Sequence, residues 1–169
     1  MGQDKALLDF GGKPLARYQY ERLKDIFEHV AICTKTKKFD FEAPFFYDSS
    51  EIFAPTPAIL DIFDFYESFF AISVDTPFVE KSVIDKIVQT AKKLPGKDAI
   101  IAKTTQPQPL IGIYNKSIAP LIKKEIAKGN YKLNAILRQA DTAFVQFEDD
   151  HRFLNLNYPQ DFQEALKIL

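Results

Sequence analysis

The sequence predicts an α/β fold in which a mostly parallel sheet lies under helices on both faces. Short apolar runs alternate along the chain with longer segments of helical spacing, as βαβ crossovers require. The 169 residues are 46% hydrophobic, which suits a single domain, residues 1–169, with a sizeable core.

The most informative apolar run covers residues 69–74 and is followed by Asp75, Thr76 and Pro77. Its lack of alternation is typical of a strand covered on both faces of a parallel sheet. Because the ligand crevice of such sheets lies outside the carboxyl ends of the strands, Asp75 is a candidate ligand for Mg²⁺. The alternative is that Asp75 caps the helix expected to begin near Glu80.

The remaining elements follow from local signals taken along the chain. Residues 6–10 are expected to be extended, Gly11 and Gly12 to form a turn, and Pro14 to begin a helix, since its missing N–H costs nothing there. Further helices are expected where an apolar stripe recurs at helical spacing, at residues 58–66, 83–91, 118–126, 133–139 and 160–169. Further strands are expected at the short apolar runs 29–34, 44–47, 99–102, 110–114 and 142–147.

Composition argues against several functional classes. The net charge of −1 provides no global basic field for nucleic acid or anionic lipid. No uninterrupted apolar stretch reaches about 18 residues, so we expect no membrane segment and a cytoplasmic location. The single cysteine, Cys33, excludes an internal disulfide, and its apolar surroundings predict a buried thiol. The presence of only two histidines and the absence of a Gly-x-Ser-x-Gly elbow disfavour zinc chemistry and nucleophilic hydrolysis, and the sequence contains no P-loop.

Polar side chains at the ends of other segments complete a candidate site. Asp48 follows the run 44–47, Asn155 and Asn157 precede the last helix, and Lys5 stands ahead of the first helix. A metal-binding acid, amide oxygens and a mobile ammonium suit phosphoryl or nucleotidyl transfer, in which positioning and charge neutralisation supply most of the catalysis. From the residues alone, the alternatives are that Asp48 caps the next segment and that Lys5 is a surface lysine.

Five segments carry a pattern that covers nearly the whole chain. They are GQDKALL at 2–8, GKPL at 12–15, SVDTPF at 73–78, QPLIGIY at 108–114 and NLNYPQDF at 155–162. In this order they resemble the signature of the bacterial molybdenum cofactor guanylyltransferases. The resemblance implies a Rossmann-like, three-layer fold of the nucleotide-diphospho-sugar-transferase type, with a mostly parallel sheet.

The resemblance also implies an activity: transfer of GMP from GTP to molybdenum-bound molybdopterin, with Mg²⁺ as cofactor and pyrophosphate as the second product. By resemblance, Lys5 and Asp75 are the catalytic residues, with Lys5 on the GTP phosphates and Asp75 on Mg²⁺. Asp48 would help to hold the nucleotide, and Asn155 and Asn157 would face the pterin or complete the surroundings of the metal. The expected protein partners are molybdoenzyme acceptors or other cofactor-biosynthesis proteins.

Two departures from the family pattern leave alternatives open. The family places a strand and a glycine-rich phosphate loop ahead of the Met-Gly that begins this sequence, so we expect further residues upstream of Met1. A glycine-containing segment that approaches guanine in the family is replaced here by residues 54–59. The alternatives are a CTP-dependent molybdopterin cytidylyltransferase, another sugar- or polyol-phosphate nucleotidyltransferase, or a non-enzymatic nucleotide-binding or cofactor-carrier module.

Overall fold

A computed structural model describes residues 4–168 of the chain. The first residues of the motif at 2–8 and Leu169 of the last predicted helix lie outside the described residues. The described chain forms two compact units. The first unit comprises residues 4–47, 73–81 and 149–168, and the second comprises residues 48–72 and 82–148. The expectation of one domain over residues 1–169 stays a prediction.

Helices and strands alternate along most of the chain. The helices are α1 (Leu15–Lys24), α2 (Pro55–Ile62), α3 (Lys81–Lys93), α4 (Ala119–Ala127), α5 (Leu133–Leu137) and α6 (Pro159–Ile168). The strands are β1 (Ile32–Thr34), β2 (Phe45–Tyr47), β3 (Ser68–Ile72), β4 (Ala99–Lys103), β5 (Pro107–Asn115) and β6 (Thr142–Gln146). Short 3-10 helices cover Lys5–Leu7, Lys116–Ile118 and His151–Phe153. None of the helices described between residues 4 and 168 is long and apolar enough to cross a membrane.

The first unit joins its helices through a small apolar core. Strands β1 and β2 pair in parallel. Gly11 and Gly12 adopt φ values of +66° and +81°, which confirms the predicted turn, because this region of φ favours glycine. The turn returns the chain to α1, and Phe10, Leu15, Leu156 and Ala165 form one buried cluster. This cluster therefore ties residues near the start of the described chain to its last segments.

The second unit is built on a four-stranded sheet with the order β3-β5-β4-β6. Strands β4 and β6 are parallel, whereas β5 is antiparallel to both β3 and β4. Residues 99–102 of β4 are all buried, as expected for a strand at the centre of a core. The strand packs in a cluster that also contains Ile59, Tyr114, Ile122 and Ile136.

The predicted fold class is confirmed, and one strand departs from the expected direction. Three of the four strands in the larger sheet, β3, β4 and β6, run in the same direction, but β5 returns from β4 as a hairpin. The sequence placed a loop at Pro107 and Pro109, and both prolines instead belong to β5. They lie where the pairing with β4 shifts register between Ile101 and Lys103, and such irregular positions tolerate a residue without an N–H.

Two burial predictions are wrong. The run read as a strand covered on both faces, β3, is only partly buried and stands at one end of the described strand order. Phe69 stacks on Tyr114 of β5 and packs against Phe63, which follows α2, and an apolar run alone does not distinguish such one-sided packing from full burial. Cys33 is exposed rather than buried, because β1 is a short strand with a single strand beside it in the described sheet.

The close approach of β4 and β5 makes Gly112 a stability determinant. A Cβ at this position would meet the carbonyl oxygen of Ile100 and lie 2.9 Å from Cα of Ile101, and backbone atoms cannot rotate away. Gly112→Ala should therefore lower the free energy of unfolding by about 3 kcal/mol, the upper end of typical overpacking costs.

A matched control is Gly129→Ala, since Gly129 has φ +74° and open space around its Cβ position. Only left-handed strain applies there, so the expected loss is about 1 kcal/mol. Urea denaturation of the two variants measures both values. Equal losses would contradict the close approach described for β4 and β5.

Candidate active site

Asp75 lies in a tight turn that follows β3 in the sequence. The backbone N–H and the hydroxyl of Thr76 both donate to the carbonyl oxygen of Ser73, at 3.4 and 3.0 Å. The Ser73 hydroxyl donates to Oδ1 of Asp75 at 2.5 Å. Because β3 ends at Ile72, a turn rather than a strand end holds this carboxylate, and α3 begins only at Lys81, so Asp75 is not its N-cap.

Lys5 reaches the same carboxylate from the start of the described chain. It begins a 3-10 helix, instead of preceding the extended segment predicted for residues 6–10, and Asp4 caps this helix by accepting the Ala6 N–H at 3.1 Å. Its Nζ lies 3.4 Å from Oδ2 of Asp75 and 2.9 Å from Oδ1 of Asn157. The side chains of Lys5 and Asp75 are 28% and 17% exposed, so the pair remains accessible to a ligand.

Residues 155–157, the asparagine segment, are held beside Asp75 by a buried leucine. Leu156 is 0% exposed, and its backbone N–H donates to the carbonyl oxygen of Asp75 at 2.8 Å. The N–H of Asn157 donates to the carbonyl oxygen of Asn155 at 2.8 Å, which closes a three-residue turn around Leu156. One buried side chain thus sets the position of the two predicted asparagines next to the turn of Asp75.

The two asparagines differ in their surroundings. Oδ1 of Asn157 accepts from Lys5, as described above. Oδ1 of Asn155 is buried and has no hydrogen-bond partner among the described residues. Since buried polar atoms are nearly always satisfied, this oxygen requires a donor or a cation that the described chain does not supply.

Asp48, the remaining predicted site residue, belongs to the second unit. It is buried, and its Oδ1 accepts the backbone N–H of Ser50 at 2.9 Å, so it does organise the segment that follows it. The pKa of nearby Asp61 is raised, first by burial of its own carboxyl and then by the negative charges of Asp48 and Asp64. The nucleotide-binding role of Asp48 stays a prediction.

The donor set around Lys5 suits a divalent cation of the magnesium type. Among residues 4–168 no group of three or more His, Cys, Asp or Glu side chains could hold a metal. Mg²⁺ does not require such a group, because it binds one or two carboxylates together with phosphate and water oxygens. Oδ2 of Asp75 and Oδ1 of Asn157 already converge on one positive charge, the Lys5 ammonium. The residues present therefore fit Mg²⁺ in combination with a phosphate ligand.

The sequence did not indicate which residues support Asp75. The Ser73 hydroxyl hydrogen-bonds to Asp75 itself, and Gln19 hydrogen-bonds to the backbone of this turn. Arg22 hydrogen-bonds to Gln19. One signal was present for Gln19. It lies three residues after Ala16 and four before Leu23, on the stripe of α1 that otherwise predicts apolar burial.

The site combines an acid held in a turn with a lysine and amide oxygens, in an α/β fold. These groups suit an enzyme that acts on nucleoside triphosphates. Comparison with known proteins gives the same class. The MobA-like NTP transferase domain matches residues 1–143. The molybdenum cofactor guanylyltransferase of Campylobacter jejuni subsp. jejuni serotype O:6 is 32% identical over 97% of this chain and 87% of its own length. The chain belongs to the MobA-like NTP transferase family, as the sequence motifs predicted.

Solved structures show that the fold is shared more widely. A molybdopterin-guanine dinucleotide biosynthesis protein A from Archaeoglobus fulgidus matches with a TM-score of 0.85 at 23% identity, covering 99% of this chain and 91% of that chain. A 2-C-methyl-D-erythritol 4-phosphate cytidylyltransferase from Thermus thermophilus matches with a TM-score of 0.69 at 14% identity, covering 97% and 93%. The predicted nucleotide-diphospho-sugar-transferase type of fold is thus confirmed.

The short 3-10 helix His151–Phe153, which precedes the asparagine segment, is capped by an aspartate with a shifted pKa. Asp150 caps this turn and accepts from Nε of Arg152 at 2.9 Å and from its Nη2 at 2.7 Å. The side-chain hydrogen bonds from Arg152, as the main cause, lower the pKa of Asp150 to about 2. An unfolded aspartate has a pKa of about 3.9, so the folded state favours the ionised form.

This shift predicts a pH-dependent loss of stability. A lowered folded pKa stabilises the protein above pH of about 4, and the contribution is lost as the pH falls through about 2. Asp150→Asn keeps an oxygen for the cap but removes the charge, so it should destabilise the protein at pH 7 and progressively less below pH of about 4. Urea midpoints across this range provide the measurement. If the urea midpoints of wild type and variant differ by the same amount at every pH, the lowered pKa of Asp150 in the folded state is refuted.

Proposed function

We propose that this protein transfers GMP from GTP to molybdenum-bound molybdopterin, forming the guanine dinucleotide of the cofactor and releasing pyrophosphate. The observation that carries the proposal is the Lys5 ammonium between Oδ2 of Asp75 and Oδ1 of Asn157. It places positive charge, an acid and an amide at one accessible point. The name of the Campylobacter relative supports the choice of substrates.

The reaction itself needs little covalent chemistry from the protein. An oxygen of the terminal phosphate of the pterin attacks the α-phosphorus of GTP, and the bond from that phosphorus to the β-phosphate bridging oxygen breaks. GMP is thereby joined to the pterin phosphate, and pyrophosphate leaves with the electron pair. Because a phosphate monoester is already ionised near neutral pH, no protein nucleophile or general base is required. The work of the chain is to align the two phosphates and offset their charge.

Each residue of the site has a role in this alignment. Two of the three donors of the Lys5 ammonium have partners among the described residues, and the ammonium can turn toward phosphate oxygens. Asp75 and Asn157 would hold Mg²⁺, which when bound offsets charge on the triphosphate. We assign Asn155 to the pterin or the metal because its buried Oδ1 requires a partner. Asp48 is assigned to the nucleotide on the family resemblance.

The base specificity needs a direct test, because the same fold occurs in the Thermus cytidylyltransferase. Full-length protein should be incubated with Mg²⁺, molybdenum-bound molybdopterin and each of the four nucleoside triphosphates, and the products separated by mass. We expect a guanine dinucleotide and pyrophosphate with GTP only. A cytosine dinucleotide would show the CTP-dependent alternative, and binding of nucleotide or pterin without any product would show a binding or carrier module.

Substitution at Asp75 tests its role within this reaction. Asp75→Asn removes the charge that attracts both Lys5 and Mg²⁺, so Mg²⁺-dependent transfer should fall by at least a hundredfold while the melting temperature stays near that of the wild type. Asp141→Asn is the matched control, since Asp141 also pairs with a lysine, Lys97, at 2.5 Å. It should leave turnover unchanged. Wild-type turnover by Asp75→Asn would remove Asp75 from the mechanism.

A further inference from the structure

Gln19 of α1 donates two hydrogen bonds to the turn that carries Asp75. Its side-chain Nε2 lies 3.0 Å from the carbonyl oxygen of Ser73 and 3.1 Å from the carbonyl oxygen of Thr76. These two carbonyls stand on either side of Asp75 in the sequence. Gln19 is only 4% exposed, so water does not compete effectively for either bond.

Arg22 fixes the orientation of that amide. Its Nε and Nη2 donate to Oε1 of Gln19 at 3.1 and 2.7 Å, and its Nη1 donates to the carbonyl oxygen of Val79 at 2.5 Å. An amide side chain has one accepting and one donating end. Because the guanidinium holds the accepting end, the donating end must face Ser73 and Thr76.

Gln19 and Arg22 lie on a helix that buried side chains hold in place. Gln19 and Arg22 are three residues apart, so they project from the same side of α1. The helix is anchored by the buried side chains of Leu15 and Leu23. Burial lowers the pKa of Arg22, but the guanidinium remains charged, as arginine does in proteins.

We propose that Gln19 and Arg22 are positioning residues that set the place of the Asp75 carboxylate for the reaction. The inference rests on the proposed function for its catalytic consequence. Its structural consequence extends to the asparagine segment, because Leu156 donates its N–H to the carbonyl oxygen of Asp75. A turn that moves would therefore shift Asp75 and the hydrogen bond of Leu156 together.

Gln19→Glu isolates this function. The variant keeps the size of the side chain and the oxygen that Arg22 contacts, and it replaces the donating NH₂ with an oxygen facing two carbonyl oxygens. Gln146→Glu is the matched control, because Nε2 of Gln146 also donates to two carbonyl oxygens, those of Thr104 and Phe147, at 2.9 and 3.0 Å. Gln146 lies in β6, in the second unit.

The first readout needs no substrate. Hydrogen exchange of the Leu156 amide should be at least tenfold faster in Gln19→Glu than in the wild type, relative to amides of β4, and within threefold of wild type in Gln146→Glu. The second readout is kinetic. At equal folded fraction, kcat for GMP transfer should fall at least tenfold in Gln19→Glu, with the KM for GTP changed less than threefold, because a displaced carboxylate impairs alignment more than binding.

The outcomes separate the two proposals. If the wild type does not transfer GMP, the proposed function is overturned. Hydrogen exchange of the Leu156 amide then still tests whether Gln19 holds the turn. Unchanged exchange, or unchanged kcat in an active enzyme, overturns the positioning role. If Gln19→Glu does not fold, Arg22→Met replaces it, since it leaves the Gln19 amide in place but free to rotate. Arg22→Met should show a smaller change of the same kind in both readouts. No change in either readout would overturn the positioning role.

Discussion

The Lys5 ammonium between Asp75 and Asn157 is the interaction on which the site depends. These residues are 70 and 152 positions from Lys5 in the sequence, so the contact exists only when three distant segments are folded together. A charge-assisted contact between groups of this kind contributes little to stability when it is partly exposed. It brings positive charge, an acid and an amide to one point, as the proposed transfer requires.

The segments reach this point through neutral contacts rather than through charge. Leu156 is buried with Phe10 and Leu15, and it also bonds to the backbone of Asp75. Gln19 bonds to the carbonyls on both sides of Asp75. The apolar core and the buried amide therefore hold the backbone in place, while the side chains of Lys5 and Asp75 remain partly exposed. This division suits an enzyme whose bound substrate carries several negative charges.

The sequence predicted the fold class and the family because those depend on repeated patterns and on motifs in a fixed order. Five site residues were predicted from the sequence. The structure places Lys5, Asp75, Asn155 and Asn157 in the first unit and Asp48 in the second. It did not predict the hairpin of β5, because Pro107 and Pro109 signal a loop unless the register shift beside them is known. The place of Gln19 on the apolar stripe of α1 signals that it is buried, but not what it supports, because the groups that accept its hydrogen bonds are the backbone carbonyls of residues 73 and 76.

The most direct measurement is a crystal structure of the full-length protein with Mg²⁺ and GTP. The account predicts a metal ion on the carboxylate of Asp75, with the Lys5 ammonium moved from that carboxylate to the phosphates of the nucleotide. A nucleotide bound elsewhere, with Lys5 still between Asp75 and Asn157, would contradict it.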